Sequence, residues 1–108
     1  MRNAAEVRAR RWYRLRGWQI LGENVWIGGN ELDLVVRRGR ALRFVEVKEK
    51  TGDGLGDPLE MVSFEKQRRI RRAAEAWLAS RPELAHCVAA FDVVAVRGSG
   101  LERLHNAF

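Results

Sequence analysis

The sequence predicts an α/β domain of element order α-β-β-β-α-β, with room for one more strand at the C-terminal end. Three observations point there. Two arginine-rich segments, "RARRWYRLR" and "KQRRIRR", belong to stretches whose apolar residues recur at helical spacing. Between them lie three runs rich in aromatic and β-branched residues: "WQILGENVWI", "ELDLVV" and "LRFVEVKEK". A further run of this kind, "AAFDVVAV", follows the second helical stretch.

In the first helix Asn3 is placed to cap, with Glu6 three residues on as its capping-box partner and Gly17 as the stop. Ala5, Ala9 and Trp12 form its inward stripe, and Arg8, Arg10, Arg11 and Arg14 lie outside it. The first strand carries an expected irregularity at Gly22, and Gly28-Gly29 turns the chain. "ELDLVV" and "LRFVEVKEK" then make a hairpin around Arg38-Gly39-Arg40. "TGDGLGDP", residues 51–58, is too glycine-rich for regular structure and reads as a loop, either an inert connector or a cover for a substrate. Ser63 caps a second helix running to about Ser80, with Ile70, Ala73, Ala74, Trp77 and Leu78 as its core stripe; Arg81-Pro82 ends it. After the fourth strand and the Gly98–Gly100 turn, "LERLHNAF" supplies a short last strand.

At 108 residues the chain makes one domain with a single core, and no apolar run approaches a membrane span. The N-terminal "MRNAAEVRARRWYRLRG" lacks the apolar stretch of a secretory signal, so a cytoplasmic location is expected. The single cysteine, Cys87, agrees with a reducing compartment and reads as a small core residue. A net charge of +6, gathered on the two helices, favours polyanionic partners, nucleic acid above all.

The hairpin holds the chemistry. Along an extended chain Glu31, Asp33 and Val35 share one face, and Leu32, Leu34 and Val36 the other; in the next strand Phe44, Glu46 and Lys48 share a face. A turn at Gly39-Arg40 sets Asp33 opposite Glu46, whereas a turn at Arg38-Gly39 sets Glu31 there. Either register puts like charges together, which destabilises a hairpin unless something compensates. A hard divalent cation does so, because Mg²⁺ takes carboxylate and water oxygens. Lys48 stands ready to assist a water or to neutralise a phosphate. The alternative is an exposed salt-bridge ladder on the wet face of a sheet. Val35 and Phe44 on the same face, and apolar residues on both sides of the pattern, argue for a covered, central position.

An acid on one hairpin strand followed by Glu46-Val47-Lys48 on the next resembles the PD-(D/E)xK nuclease superfamily. The stretch "GGNELDLVVRRGRALRFVEVKEKTGDGLGDPLEMVSFEKQ" is similar to the YraN family, whose pattern runs GEIDLI, FVEVKxR, a Gly-Pro loop and a lysine-containing helix start. Upstream, "AEVRARRWYRLRGWQIL" resembles that family's first helix, and "FDVVAV" and "HNAF" fit downstream. Asn30 replaces the glycine before Glu31, and Lys50 stands where the family has arginine. The resemblance implies a restriction-endonuclease-like αβββαβ core, a mixed central sheet flanked by helices, akin to archaeal Holliday-junction resolvases. It implies Asp33, Glu46 and the Val47 carbonyl as metal ligands for Mg²⁺ or Mn²⁺, and Lys48 as the catalytic lysine. Glu6 is placed at the edge of the site, where its capping role serves equally well, and Glu31 becomes a supporting group.

The expected function is a Mg²⁺-dependent endonuclease acting on DNA, branched or structured DNA included. Arg68, Arg69, Arg71 and Arg72, with first-helix arginines, would hold the phosphate backbone without reading sequence. A solvated helix face, with Glu65 bonded to Arg69, is the alternative for some of these. A homodimer would supply the two active sites that junction resolvases need. The rival class is a non-catalytic nucleic-acid-binding or adaptor protein that keeps the fold. His86 and His105 lack partners at metal-ligand spacing and read as structural; stacking on bases requires that one of the four tryptophans stand exposed.

Overall fold

The computed structural model describes residues 3–50 and 58–108; the expected loop over residues 51–57 lies outside the described residues. The elements follow in the order α1 (Ala4–Leu15), β1 (Gln19–Ile27), β2 (Asn30–Arg38), β3 (Ala41–Glu49), a 3₁₀ turn (Pro58–Met61), α2 (Phe64–Ala79), a second 3₁₀ turn (Pro82–Leu84), β4 (Val88–Arg97) and β5 (Gly100–Leu104). The predicted order holds, with the extra strand present as β5.

Local chemistry sets the ends. Asn3 accepts the Glu6 N–H at 2.8 Å and Glu6 returns the bond to the Asn3 N–H, closing the capping box that starts α1. Ser63 accepts the Lys66 N–H at 3.1 Å and starts α2. The strands form one mixed sheet in spatial order β1-β2-β3-β4-β5, in which only β3 and β4 run parallel. The pairing of Arg38 with Ala41 fixes the β2–β3 turn at Gly39-Arg40, the first of the two registers open to the sequence. The predicted irregularity in β1 is a register shift between Ile20 and Gly22.

One core lies on each face of the sheet. Ile70, Ala73, Ala74 and Trp77 of α2 pack on Leu32, Val35, Leu42, Phe44 and Val93. Ala5, Ala9 and Tyr13 of α1 pack with Trp18 on Leu34, Val36, Val45, Val94 and Val96. The stripe of α1 therefore runs through Tyr13 where Trp12 is expected: Tyr13 continues the i, i+4, i+8 line from Ala5 and Ala9 and is fully buried, leaving Trp12 half-buried at the margin. The expected face of β2 is also revised. Leu32 packs on the α2 side while Leu34 and Val36 pack on the α1 side, so alternation breaks at Asp33.

The β1–β2 turn comes close to α2. A Cβ at Gly28, whose φ is +61°, would lie 3.3 Å from the Ala73 Cα. Both the left-handed backbone and the contact with main chain call for glycine. Gly28→Ala is expected to destabilise the protein by about 1–2 kcal/mol in denaturant unfolding, whereas Gly29→Ala, which meets nothing within 4 Å, should cost only its backbone strain.

Candidate active site

The site forms where the sheet splits. From the turn, the β2–β3 ladder runs as far as Leu34 opposite Val45. Beyond that point β2 continues to pair with β1, through Leu32–Val25 and Glu31–Trp26, while β3 continues along β4 through Glu46–Val93 to Glu49–Val96. Two arms of the sheet thus diverge like a fork. At its base the Asp33 Oδ2 accepts the Val47 N–H at 2.8 Å, a carboxylate standing in for the carbonyl acceptor the ladder has given up. The cleft above it, about 670 Å³, is lined from β1 and β2 by Asn24, Trp26, Asn30, Glu31 and Asp33, and from β3 by Glu46, Val47 and Lys48. The first turn of α1, with its cap, contributes Asn3 and Glu6, and α2 contributes Lys66.

Four carboxylates meet here. Oxygens of Glu6, Glu31 and Asp33 all lie within 4.8 Å of one another. Asn24 holds two of them, its Nδ2 donating to Glu6 Oε2 at 2.8 Å and to Glu31 Oε1 at 3.0 Å. Glu6 serves both roles open to it: Oε1 closes the helix cap and Oε2 faces the cleft. Asp33 and Glu46 line the same cleft, and the Glu46 charge acts on the Asp33 carboxyl. Glu46, only 5% exposed, also reaches two ammonium groups, Lys48 Nζ at 3.6 Å and Lys66 Nζ at 3.9 Å. Both separations are those of ion pairs, a little longer than a normal hydrogen bond.

Electrostatics follow from that crowding. Burial, then the charge of Glu46, push the Asp33 carboxyl up to about 7, against the bond from the Val47 N–H that favours its anion. Burial also raises Glu46, and Lys66 and Lys48 pull it back. Asp33 and Glu46 thus lie where their surroundings disfavour the anion, a place that added positive charge would suit.

The residues fit a hard divalent cation. The donors are all oxygen, and oxygens on opposite sides of one Mg²⁺ stand about 4.2 Å apart at a Mg–O distance of about 2.1 Å. That is the scale of the Glu6–Glu31–Asp33 cluster. Val47 enters the site through its N–H, bonded to Asp33, and lines the cleft.

The four helix arginines are less uniform than their sequence. All four are exposed, but Arg69 bonds Glu65 one turn back, as the solvated-face alternative has it, and Arg71 lies over the Phe91 and Phe108 rings at 5.3 and 5.4 Å. Arg68 and Arg72 keep their charge toward solvent. In α1, Arg8 donates to the Gly98 and Ser99 carbonyls and Arg10 pairs with Glu23, while Arg11 and Arg14 stay exposed.

Sequence reasoning overlooks three residues. Lys66 follows from the helix start: with Ser63 as cap, it faces back toward β3. Asn24 takes φ +48°, a left-handed backbone that asparagine tolerates better than most residues, and this turns its amide onto the acids. The third, Asp92, lies outside the cleft. Fully buried in β4, it accepts from Tyr13 Oη at 2.6 Å, Arg103 Nε at 3.0 Å and the Asn106 N–H at 3.3 Å, and lies 2.9 Å from His105 Nδ1. Its signal is a lone acid inside the apolar run "AAFDVVAV".

The mixed five-stranded sheet between two helices, with acids and lysines at its fork, is a restriction-endonuclease-like core. Residues 5–96 match the model of a family described as "Uncharacterised protein family UPF0102". Relatives support the match over nearly the full length. A UPF0102 protein of Serratia proteamaculans (strain 568) is 39% identical over 106 residues, covering 95% of this chain and 89% of the relative. One of Shewanella amazonensis is 40% identical over 104 residues, covering 96% and 94%. The chain belongs to the UPF0102, or YraN, family. Among the described residues no helix is long and apolar enough to cross a membrane.

Proposed function

We propose that this protein is a divalent-metal-dependent endonuclease that hydrolyses phosphodiesters in DNA, with structured DNA as its substrate. The observation that carries the reading is the convergence of four acids and two lysines on one cleft at the sheet fork. Asp33, with Glu6 and Glu31 within 4.8 Å of it, would hold Mg²⁺ or Mn²⁺, with Glu46 of the same cleft as a further ligand. Such an ion supplies charge neutralisation at the phosphate and acidifies water. The protein does the rest. Val47 fixes the Asp33 carboxylate, and Asn24 fixes Glu6 and Glu31, so the oxygens are set before substrate arrives. Lys48 and Lys66 enter from different elements and would meet the non-bridging phosphate oxygens and the attacking water. The exposed Arg11, Arg14, Arg68 and Arg72 add backbone contacts.

Purified protein with Mg²⁺ or Mn²⁺, offered linear duplex, single-stranded and four-way DNA, should cut at least one. Glu46→Ala and Lys48→Ala should each lower cleavage by about 10²-fold or more while leaving low-salt DNA binding within a few fold. A wild-type protein that binds these DNAs and cuts none is a nucleic-acid-binding protein on a nuclease fold, and the enzymatic reading then falls.

A further inference from the structure

Of the four tryptophans, three are accounted for by packing. Trp12 meets Tyr13 edge-on and carries Arg16 over its ring; Trp18 meets Tyr13 and Arg38; Trp77 meets Phe44 and Arg81. Trp26 has neither a ring nor a cation partner among the described residues and is 72% exposed. Strand alternation explains its direction: Val25 and Ile27 turn into the α2-side core, so the residue between them turns out.

It turns out beside the acids. The cross-strand partner of Trp26 is Glu31, a member of the carboxylate cluster, and side chains so paired stand about 5 Å apart at Cβ. Trp26 lines the same cleft as Asp33, Glu46, Lys48 and Lys66. The chain next to it is the Gly28-Gly29 turn, and at Gly29 even a Cβ would meet nothing within 4 Å. Among the described residues, then, the side of the indole facing this turn is open.

The neighbours select the ligand. An apolar protein surface laid on Trp26 would press against Glu31 and its companion acids without compensation. A base-paired duplex presents phosphates outward and keeps the faces of its bases stacked inside. An unpaired nucleotide offers both a planar face for the indole and a phosphate for the cations of the cleft. Resting on the nuclease reading above, we propose that Trp26 stacks on an unpaired base next to the phosphate held in the cleft, so that the site takes single-stranded DNA or the unpaired nucleotides of a branch.

The test is binding without metal, in EDTA at low salt, of fluorescein-labelled oligo-dT and of a blunt duplex of equal length to wild type, Trp26→Ala and Trp26→Phe. Trp26→Ala should weaken oligo-dT binding about 5- to 100-fold. Trp26→Phe should retain most of the affinity, and duplex binding should stay within about 2-fold for both. Equal losses on the two DNAs, or no loss on oligo-dT, overturn the stacking role and leave the nuclease reading standing. If wild type binds neither oligonucleotide, the stacking role falls, and the nuclease reading rests on the cleavage assay above. Because Trp26 is exposed, both variants should keep the wild-type unfolding midpoint.

Discussion

Asp33→Asn is expected to yield a more stable protein and, on the proposed nuclease function, one that no longer cleaves DNA. The Asp33 carboxyl is raised from 3.8 to about 7, chiefly by burial and then by Glu46. A raised acid contributes stability that is whole below its unfolded pKa and is lost as pH climbs through about 7. Above that pH the wild type holds a charge its surroundings disfavour. At about 1.36 kcal/mol for each tenfold change in proton affinity, a rise of this size sets a ceiling of about 4 kcal/mol on the cost. The carboxamide removes the charge and keeps an oxygen for the Val47 N–H. A gain of roughly 1–2 kcal/mol, or roughly 4–16 °C in Tm, is expected in EDTA near about pH 8.5. Mg²⁺ should reverse the ranking, because a cation that binds only the folded wild type stabilises it by about 2.7 kcal/mol at about 100 times Kd. That gain should grow as pH rises through about 7, since ligation needs the deprotonated acid. Cleavage should drop about 10²-fold or more. Thermal melts of both proteins, with EDTA and with Mg²⁺ across pH, decide the matter. A variant less stable than wild type in alkaline EDTA would show that the Asp33 charge is not disfavoured, and one stabilised by Mg²⁺ as strongly as wild type would remove Asp33 from the ion site.

The fork is half legible in the sequence. Alternation and spacing identify Asp33, Glu46 and Lys48, because a charged residue amid "ELDLVV" or "LRFVEVKEK" is costly to bury without purpose. The Arg38-Gly39-Arg40 turn narrows the hairpin register to two choices, and the structure takes the one at Gly39-Arg40. The break in alternation at Asp33 is not visible, since it arises from two strands leaving each other for different neighbours, β1 and β4. That separation is tertiary. It brings Glu31, Asp33 and Trp26 into one cleft with Glu46. Lys66 is hidden for a similar reason: it is remote from Glu46 in sequence and meets it only because α2 covers that face of β3. Tyr13 loses to Trp12 in the reading of α1 because both are aromatic, adjacent and at helical spacing from Ala5 and Ala9, and the hydroxyl's need for a buried acceptor helps to separate them. That acceptor is Asp92.

Asp92 is where the largest loss of stability is expected. Burial alone would push its carboxyl up, but the hydrogen bonds from Tyr13 and His105 and the charge of Arg103 outweigh it and hold the group below the usual carboxylate range. Arg103 answers in kind, its own pKa raised by Asp92 against the effect of burial. The contacts join α1 to β4 and tie the chain around β5, through Arg103, His105 and the Asn106 N–H, to the sheet. Asp92→Ala strands the Tyr13 hydroxyl in a fully buried position and leaves the half-buried Arg103 without its counter-charge. Removing one partner of such a pair costs about 3–5 kcal/mol, a large part of the stability of a domain this size. Tyr13→Phe keeps the ring and drops only the donor, so about 1.5–3 kcal/mol is expected. The pH dependence carries its own signature. A depressed acid gives stability that is present above its unfolded pKa, about 3.9, and drains away as pH falls through the folded value. Wild type should therefore lose much of its margin over Asp92→Ala below about pH 4. Urea titrations of the three proteins between neutral and acid pH measure this directly. A gap between wild type and Asp92→Ala that stays constant into acid would show that the loss comes from a cavity, with no contribution from the charge.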